Sequence, residues 1–166
     1  NCHFYQAAII TCDILLKTVR DLGIWKKIEL IKNLIEIYRD WDAFSHSAVP
    51  QKKPTLSERL EDIRNEFIKY QLSSALPENI ENNISFLREI DKRWKNKLNI
   101  IDEYRIVDVY VNALRRGSEK QAKYDDAVAR LYRVIEMCSS FKLLEMGIKD
   151  ISHPDYDGLC RKKGVS

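Results

Sequence analysis

Arg39 and His46 are the side chains whose types and spacing best suit chemistry in this chain, and they stand seven residues apart. That separation is almost two turns, so an unbroken helix would carry both on one face. An imidazole with an ordinary pKa of about 6.5 exchanges protons near neutral pH, and a guanidinium stabilises charge growing on phosphate oxygens. Together they suit metal-free RNA cleavage, in which the 2′-hydroxyl attacks the adjacent phosphate. Arg39 would clamp that phosphate and His46 would act as acid or base. The plainer alternative is that both cap a helix end, where cations favour the negative pole of the macrodipole.

Arg115, Arg116, Arg130 and Arg133 form a second candidate, an RNA-binding strip if the last two helical segments pack antiparallel. Phosphate contacts of that kind weaken steeply with salt. The competing reading is a solvated face partly neutralised by Asp125, Asp126 and Glu136. Trp25, Trp41 and Trp94 could stack bases, although a tryptophan on a helical stripe is more often core or interface. His3 and His153 belong to no metal-ligand spacing, so no metal and no cofactor is expected. The chain also lacks a G-x-S-x-G nucleophile turn and any Gly-rich phosphate loop.

Six amphipathic segments would have to position these residues. The first is expected from about Phe4 to Leu22, with Phe4, Ala8, Cys12, Leu15, Val19 and Leu22 on its buried face and Gly23 as its stop. The second runs from about Trp25 to Phe44 with Ile28, Ile31, Ile35 and Tyr38 in line, and Pro50 and Pro54 break the pattern after it. A Thr55 and Glu58 capping box opens the third, which continues through Leu60, Ile63, Phe67 and Tyr70. Glu78 or Asn79 opens the fourth, which carries Ile80, Ile84, Leu87, Trp94 and Leu98, and its boundary with the fifth near Asn99 stays open.

In the fifth segment Ile101, Tyr104, Val107, Val111 and Leu114 recur at helical spacing, so the β-branched run from Ile106 to Val111 reads as helix rather than a lone strand. Gly117 is expected to close it in a left-handed conformation, and Ser118 with Gln121 offers a capping box for the sixth. The sixth segment ends near Gly147. Its apolar stripe of Tyr124, Val128, Leu131, Ile135 and Cys138 is expected to face the core, with Asp126 and Arg130 paired on the exposed side.

These segments predict an all-α fold, a single bundle of about six helices over residues 1–150, followed by a loop and basic tail over 151–166. At 166 residues and 45% hydrophobic, the chain can bury one substantial core. A net charge of +3 with 32% charged residues is balanced, so it leaves no electrostatic footprint for avid nucleic-acid binding but allows local RNA contact. No apolar run approaches the roughly 18 residues of a membrane span, which makes the cytoplasm the default location. Cys2, Cys12, Cys138 and Cys160 show no paired spacing, and Cys12 and Cys138 are expected as buried free thiols.

Two stretches carry a family resemblance. Asn112-Ala113-Leu114-Arg115-Arg116 followed by Tyr124-Asp125-Asp126-Ala127-Val128-Ala129-Arg130-Leu131-Tyr132-Arg133-Val134-Ile135-Glu136, with Tyr38-Arg39-Asp40-Trp41-Asp42-Ala43-Phe44-Ser45-His46 upstream, resembles the C-terminal half of a CRISPR-associated CARF family. In that family a Rossmann-like sensor of cyclic oligoadenylates precedes a six-helix domain of the HEPN type. The resemblance implies type III CRISPR immunity, a HEPN-like fold, single-stranded RNA as substrate and a homodimer that completes the site. It also implies that cyclic oligoadenylate acts only through a sensor domain preceding Asn1. The HEPN nuclease pattern is an arginine and a histidine with four to six residues between them, and Arg39-x6-His46 meets its long limit. The pattern lies early in the chain, whereas the family usually carries it near the last helix. A non-catalytic dimerisation or protein-interaction module is therefore the alternative to an RNase.

Overall fold

The computed structural model describes residues 2–43, 54–95, 101–118 and 122–148, apart from the side chains of Cys2, His3, Ser73, Trp94 and Lys95. Six α-helices lie within these residues: α1 (Cys2–Thr18), α2 (Leu22–Asp42), α3 (Leu56–Lys69), α4 (Ile80–Lys95), α5 (Glu103–Gly117) and α6 (Tyr124–Glu145). A 3-10 turn at Ser73–Ala75 precedes α4, and no strand occurs among the described residues. Every regular element among the described residues is helical, as the helical periodicity implies. The chain divides into two compact units, Asn1–Lys97 and Leu98–Ser166. The open boundary near Asn99 lies outside the described residues.

The first unit is built around α2, α3 and α4. Leu30, Leu34, Ile37 and Trp41 of α2 step by 4, 3 and 4 and meet Leu56, Leu60, Ile63 and Phe67 of α3 and Ile80, Ile84 and Leu87 of α4. The buried stripe of α2 is thus rotated from the predicted Ile28, Ile31, Ile35 and Tyr38, and Ile31 is exposed. Tyr38 stacks on Trp41 at 5.9 Å between ring centroids and accepts a 2.8 Å hydrogen bond from the Asn83 amide. Trp41 is therefore core, not a base-stacking platform.

α1 packs on α2 through Ile9 and Cys12, and the Lys32 ammonium of α2 pairs with Asp13 at 2.6 Å. The predicted α1 face fails at Phe4, Leu15 and Leu22, which are exposed. Gly23 does not stop α1 either. Asp21 accepts a hydrogen bond from the Ile24 N–H and caps α2, which places Gly23 in the first turn of the next helix. The Asp21 carboxylate out-competes glycine punctuation because it satisfies a backbone donor at a helix start.

The Thr55 capping box forms in full: the Glu58 N–H donates to the Thr55 hydroxyl while the Glu58 carboxylate accepts from the Thr55 N–H. α3 ends in a Schellman motif, with Leu72 N–H donating to Phe67 C=O at 2.8 Å and Gln71 N–H to Ile68 C=O at 3.0 Å. Gln71 takes the left-handed position of that motif at φ 56.

The second unit is the hairpin of α5 and α6. Asp102 caps α5 by accepting from the Arg105 N–H, and the β-branched run from Ile106 to Val111 is helical. Gly117 is the last helical residue and is not left-handed; a Cβ there would stand 3.4 Å from that of Ala127, an ordinary van der Waals contact. The left-handed residue of the connection is Ala122, at φ 49. Gln121, half of the expected capping box, lies outside the described residues. α6 begins at Tyr124, with no side-chain cap from Lys123. It closes with a second Schellman motif in which Gly147, at φ 88, occupies the left-handed site.

Candidate functional site

The inward face of α6 is Ala127, Arg130, Val134, Met137, Phe141 and Leu144, a stripe stepping by 3, 4, 3, 4 and 3 in which Ala127 and Met137 are buried and the others half-buried. Tyr124, Val128, Leu131, Ile135 and Cys138, predicted to face the core, are all exposed. α5 shows the same inversion. Asp108, Asn112, Ala113 and Arg116 are buried on it, whereas Val107, Tyr110, Val111 and Leu114 are exposed. The reversal follows from charge pairing rather than from apolar pattern.

Asp126 stands at the centre of this pairing. It accepts from Arg130 one turn along α6 at 3.1 Å and from the Arg116 guanidinium of α5, while Arg116 Nε donates to Asn112 at 3.0 Å. Burial pushes the Asp126 carboxyl up, but Arg130 and Arg116 outweigh it and hold its pKa below the usual carboxylate value. Burial likewise drives the Arg105 guanidinium down against the opposing pull of Asp102 and Asp108. The pairing of Asp126 with Arg130 was legible as a spacing, but it lies on the helix-packing side rather than the solvent side.

The four arginines proposed as an RNA strip are therefore distributed unequally. Arg116 is buried and Arg130 half-buried, both directed at Asp126; Arg115 is half-buried; Arg133 is exposed and paired with Glu136 at 3.0 Å.

In the first unit, Arg39 lies in the last turn of α2, as the helix-cap alternative requires, and bends toward its own neighbour. Arg39 Nε and Nη2 donate to Asp40 Oδ1 at 3.1 and 2.9 Å, and Arg59 Nη1 of α3 donates to Asp40 Oδ2 at 2.8 Å. Burial raises the Asp40 pKa, yet the hydrogen bonds from Arg59 and Arg39 prevail and hold it below the ordinary value. Sequence spacing did not reveal Arg59, because nineteen positions separate it from its partner. His46, the other half of the predicted pair, lies outside the described residues.

A cavity of about 320 Å³ lies between α3 and α4, lined by Thr55, Ser57, Glu58, Glu61, Arg88, Asp91 and Lys92. Its charges are mutually engaged: Arg88 pairs with Glu61, and the Ser57 hydroxyl donates to Asp91. Among the described residues no group of three or more His, Cys, Asp or Glu side chains could hold a metal ion. Cys12 is a buried thiol whose pKa is raised by burial and by Asp13 against the pull of Lys32, whereas Cys138 is exposed, contrary to expectation. No described helix is long and apolar enough to cross a membrane.

The described residues are all-helical and carry a charge-clamped helix hairpin in the second unit, an arrangement consistent with a HEPN-like domain. Residues 96–161, which contain that hairpin, match the family model of the Csm6 HEPN domain, and this supports a HEPN-like, CRISPR-associated domain. No curated protein and no solved structure matches the chain.

Proposed function

We propose that this chain is the effector domain of a type III CRISPR-associated protein and works as a homodimer. The observation that carries the reading is the outward apolar surface of the matched hairpin. Val107, Tyr110, Val111 and Leu114 on α5 and Tyr124, Val128, Leu131, Tyr132 and Ile135 on α6 are exposed, with Val128 at 64% and Tyr132 at 66%. Nine large apolar side chains at such exposures approach the scale of a standard interface, about 800 Å² per partner. A second copy is the occupant that brings an equal apolar surface to cover it. Sedimentation of the wild type should show a dimer, and Val128→Glu with Ile135→Glu should give a folded monomer. A monomeric wild type at micromolar concentration would remove the reading.

The activity proposed for this domain is metal-independent cleavage of single-stranded RNA. Arg39 and His46 remain its candidate residues, and the support is that Asp40 orients the Arg39 guanidinium. The RNA 2′-oxygen would bond to phosphorus as the 5′-oxygen leaves, giving a 2′,3′-cyclic phosphate and a 5′-hydroxyl, with His46 moving a proton at one of these oxygens. Control by cyclic oligoadenylate would require a sensor domain outside these residues, and the setting would be the cytoplasm. Cleavage of labelled RNA by the wild type and its loss in His46→Ala is the expected result. Equal cleavage by both would exclude His46, and no cleavage by either would favour the non-catalytic interaction module.

A further inference from the structure

We propose that Arg39 and Arg59, held on the two oxygens of Asp40, form an anion-binding fork for the phosphodiester backbone of single-stranded RNA. Arg59 is then a second phosphate contact and Asp40 a positioning residue. The inference rests on the reading that this domain acts on RNA.

Three observations support the fork. First, adjacent residues on a helix do not face each other, so the Arg39 side chain reaches Asp40 only by bending around the helix toward α3. The contact aims Arg39 toward Arg59 instead of merely closing a helical turn. Second, each guanidinium meets a different carboxylate oxygen, Oδ1 for Arg39 and Oδ2 for Arg59, so a single acid fixes the spacing of the two cations. Third, two guanidiniums and one carboxylate leave a local charge of +1, and the side chains of Arg39 and Arg59 are 34% and 31% exposed.

The donor count fits the same role. Of the five N–H donors on each guanidinium, Asp40 engages two from Arg39 and one from Arg59. Planar donors aimed in advance suit phosphate oxygens better than a flexible ammonium does, and holding them in place lowers the cost of ordering them on binding. By contrast, the Arg116 and Arg130 cluster sits on the packing side of its hairpin, where Arg116 is buried. The Asp40 cluster reaches solvent.

The test uses the full chain and a fluorescein-labelled single-stranded oligouridylate, with binding measured across a salt series and folding followed by circular dichroism. Arg59→Gln should weaken binding by about tenfold and reduce the slope of log K against log salt by about 0.7, the value for one lost single-strand phosphate contact. Arg59→Lys should keep the slope but recover only part of the affinity. Asp40→Asn is the discriminating variant. It adds net positive charge, so a simple charge effect would tighten binding, whereas loss of positioning weakens it severalfold. Unchanged affinity and slope in folded Arg59→Gln, or tighter binding by Asp40→Asn, would overturn the fork even if RNA cleavage persists. Failure of cleavage alongside the expected binding losses would overturn the RNase reading and leave the fork standing. A wild type that binds no oligouridylate would overturn both.

Discussion

Arg116, in the last turn of α5, donates to Asp126, in the first turn of α6, and so ties the two ends of the hairpin connection with a charge that is almost fully buried on the arginine side. Removing one partner of a buried pair leaves the other charge unsatisfied, which costs more than the pair itself contributes.

Asp126→Ala is therefore expected to destabilise the second unit by about 1–3 kcal/mol, below the value for a fully buried pair because solvent screens the Asp126 side. Its pKa in the folded chain is held down, so its contribution is fully present above the ordinary aspartate value and is lost as pH falls through the lower, folded value. Thermal unfolding of the wild type should weaken as the pH drops below about 4, and Asp126→Ala should show less of that acid dependence. An unchanged acid limb in the variant would remove Asp126 as its source.

Gln71 and Ala122 occupy left-handed conformations that cost a side-chain-bearing residue about 1 kcal/mol. Gln71→Gly and Ala122→Gly should each stabilise by up to about 1 kcal/mol, with the unfolded-state entropy of glycine taking back part of the gain. Gly147→Ala should lose a comparable amount. Denaturant midpoints measure all three, and a destabilised Gln71→Gly would contradict the assignment.

Gly117 faces Ala127 where α5 and α6 pack together. A Cβ there meets Ala127 at ordinary van der Waals distance, so Gly117→Ala should be tolerated or should stabilise by about 0.5–1 kcal/mol through helix propensity. Gly117→Leu has no such room and should cost about 1–3 kcal/mol. Equal melting temperatures for the alanine and leucine variants would rule out close approach.

Phe67 is fully buried while Val128 is 64% exposed, although both sit on stripes that look alike as sequence. Phe67→Ala should destabilise by about 3–5 kcal/mol, and Val128→Ala by less than about 0.5 kcal/mol when measured on monomer. If the proposed dimer forms, Val128→Ala should lower the melting temperature more at high protein concentration than on dilution. A concentration-independent melt would argue against association through this face.

The legible parts were those set by neighbours along the chain. The Thr55 and Glu58 capping box, the end of the last helix near Gly147 and the helical state of Ile106 to Val111 all follow from contacts within one or two turns. Helix faces were less legible wherever two stripes competed. On α1 the apolar residues surround the helix, so periodicity could not distinguish Ile9 and Cys12 from Phe4 and Leu15. Within the candidate site, Arg39 was visible from its spacing to His46, but Arg59 was not, because only the packing of α3 against α2 brings it to Asp40.

The sequence alone determined the helices, since their period, caps and breakers are local properties of the chain. Tertiary structure decided which face of each helix turned inward. On the hairpin of the second unit that decision went against the apolar pattern, because charges paired across α5 and α6 must stay together once withdrawn from water, while an apolar surface can remain available to a partner.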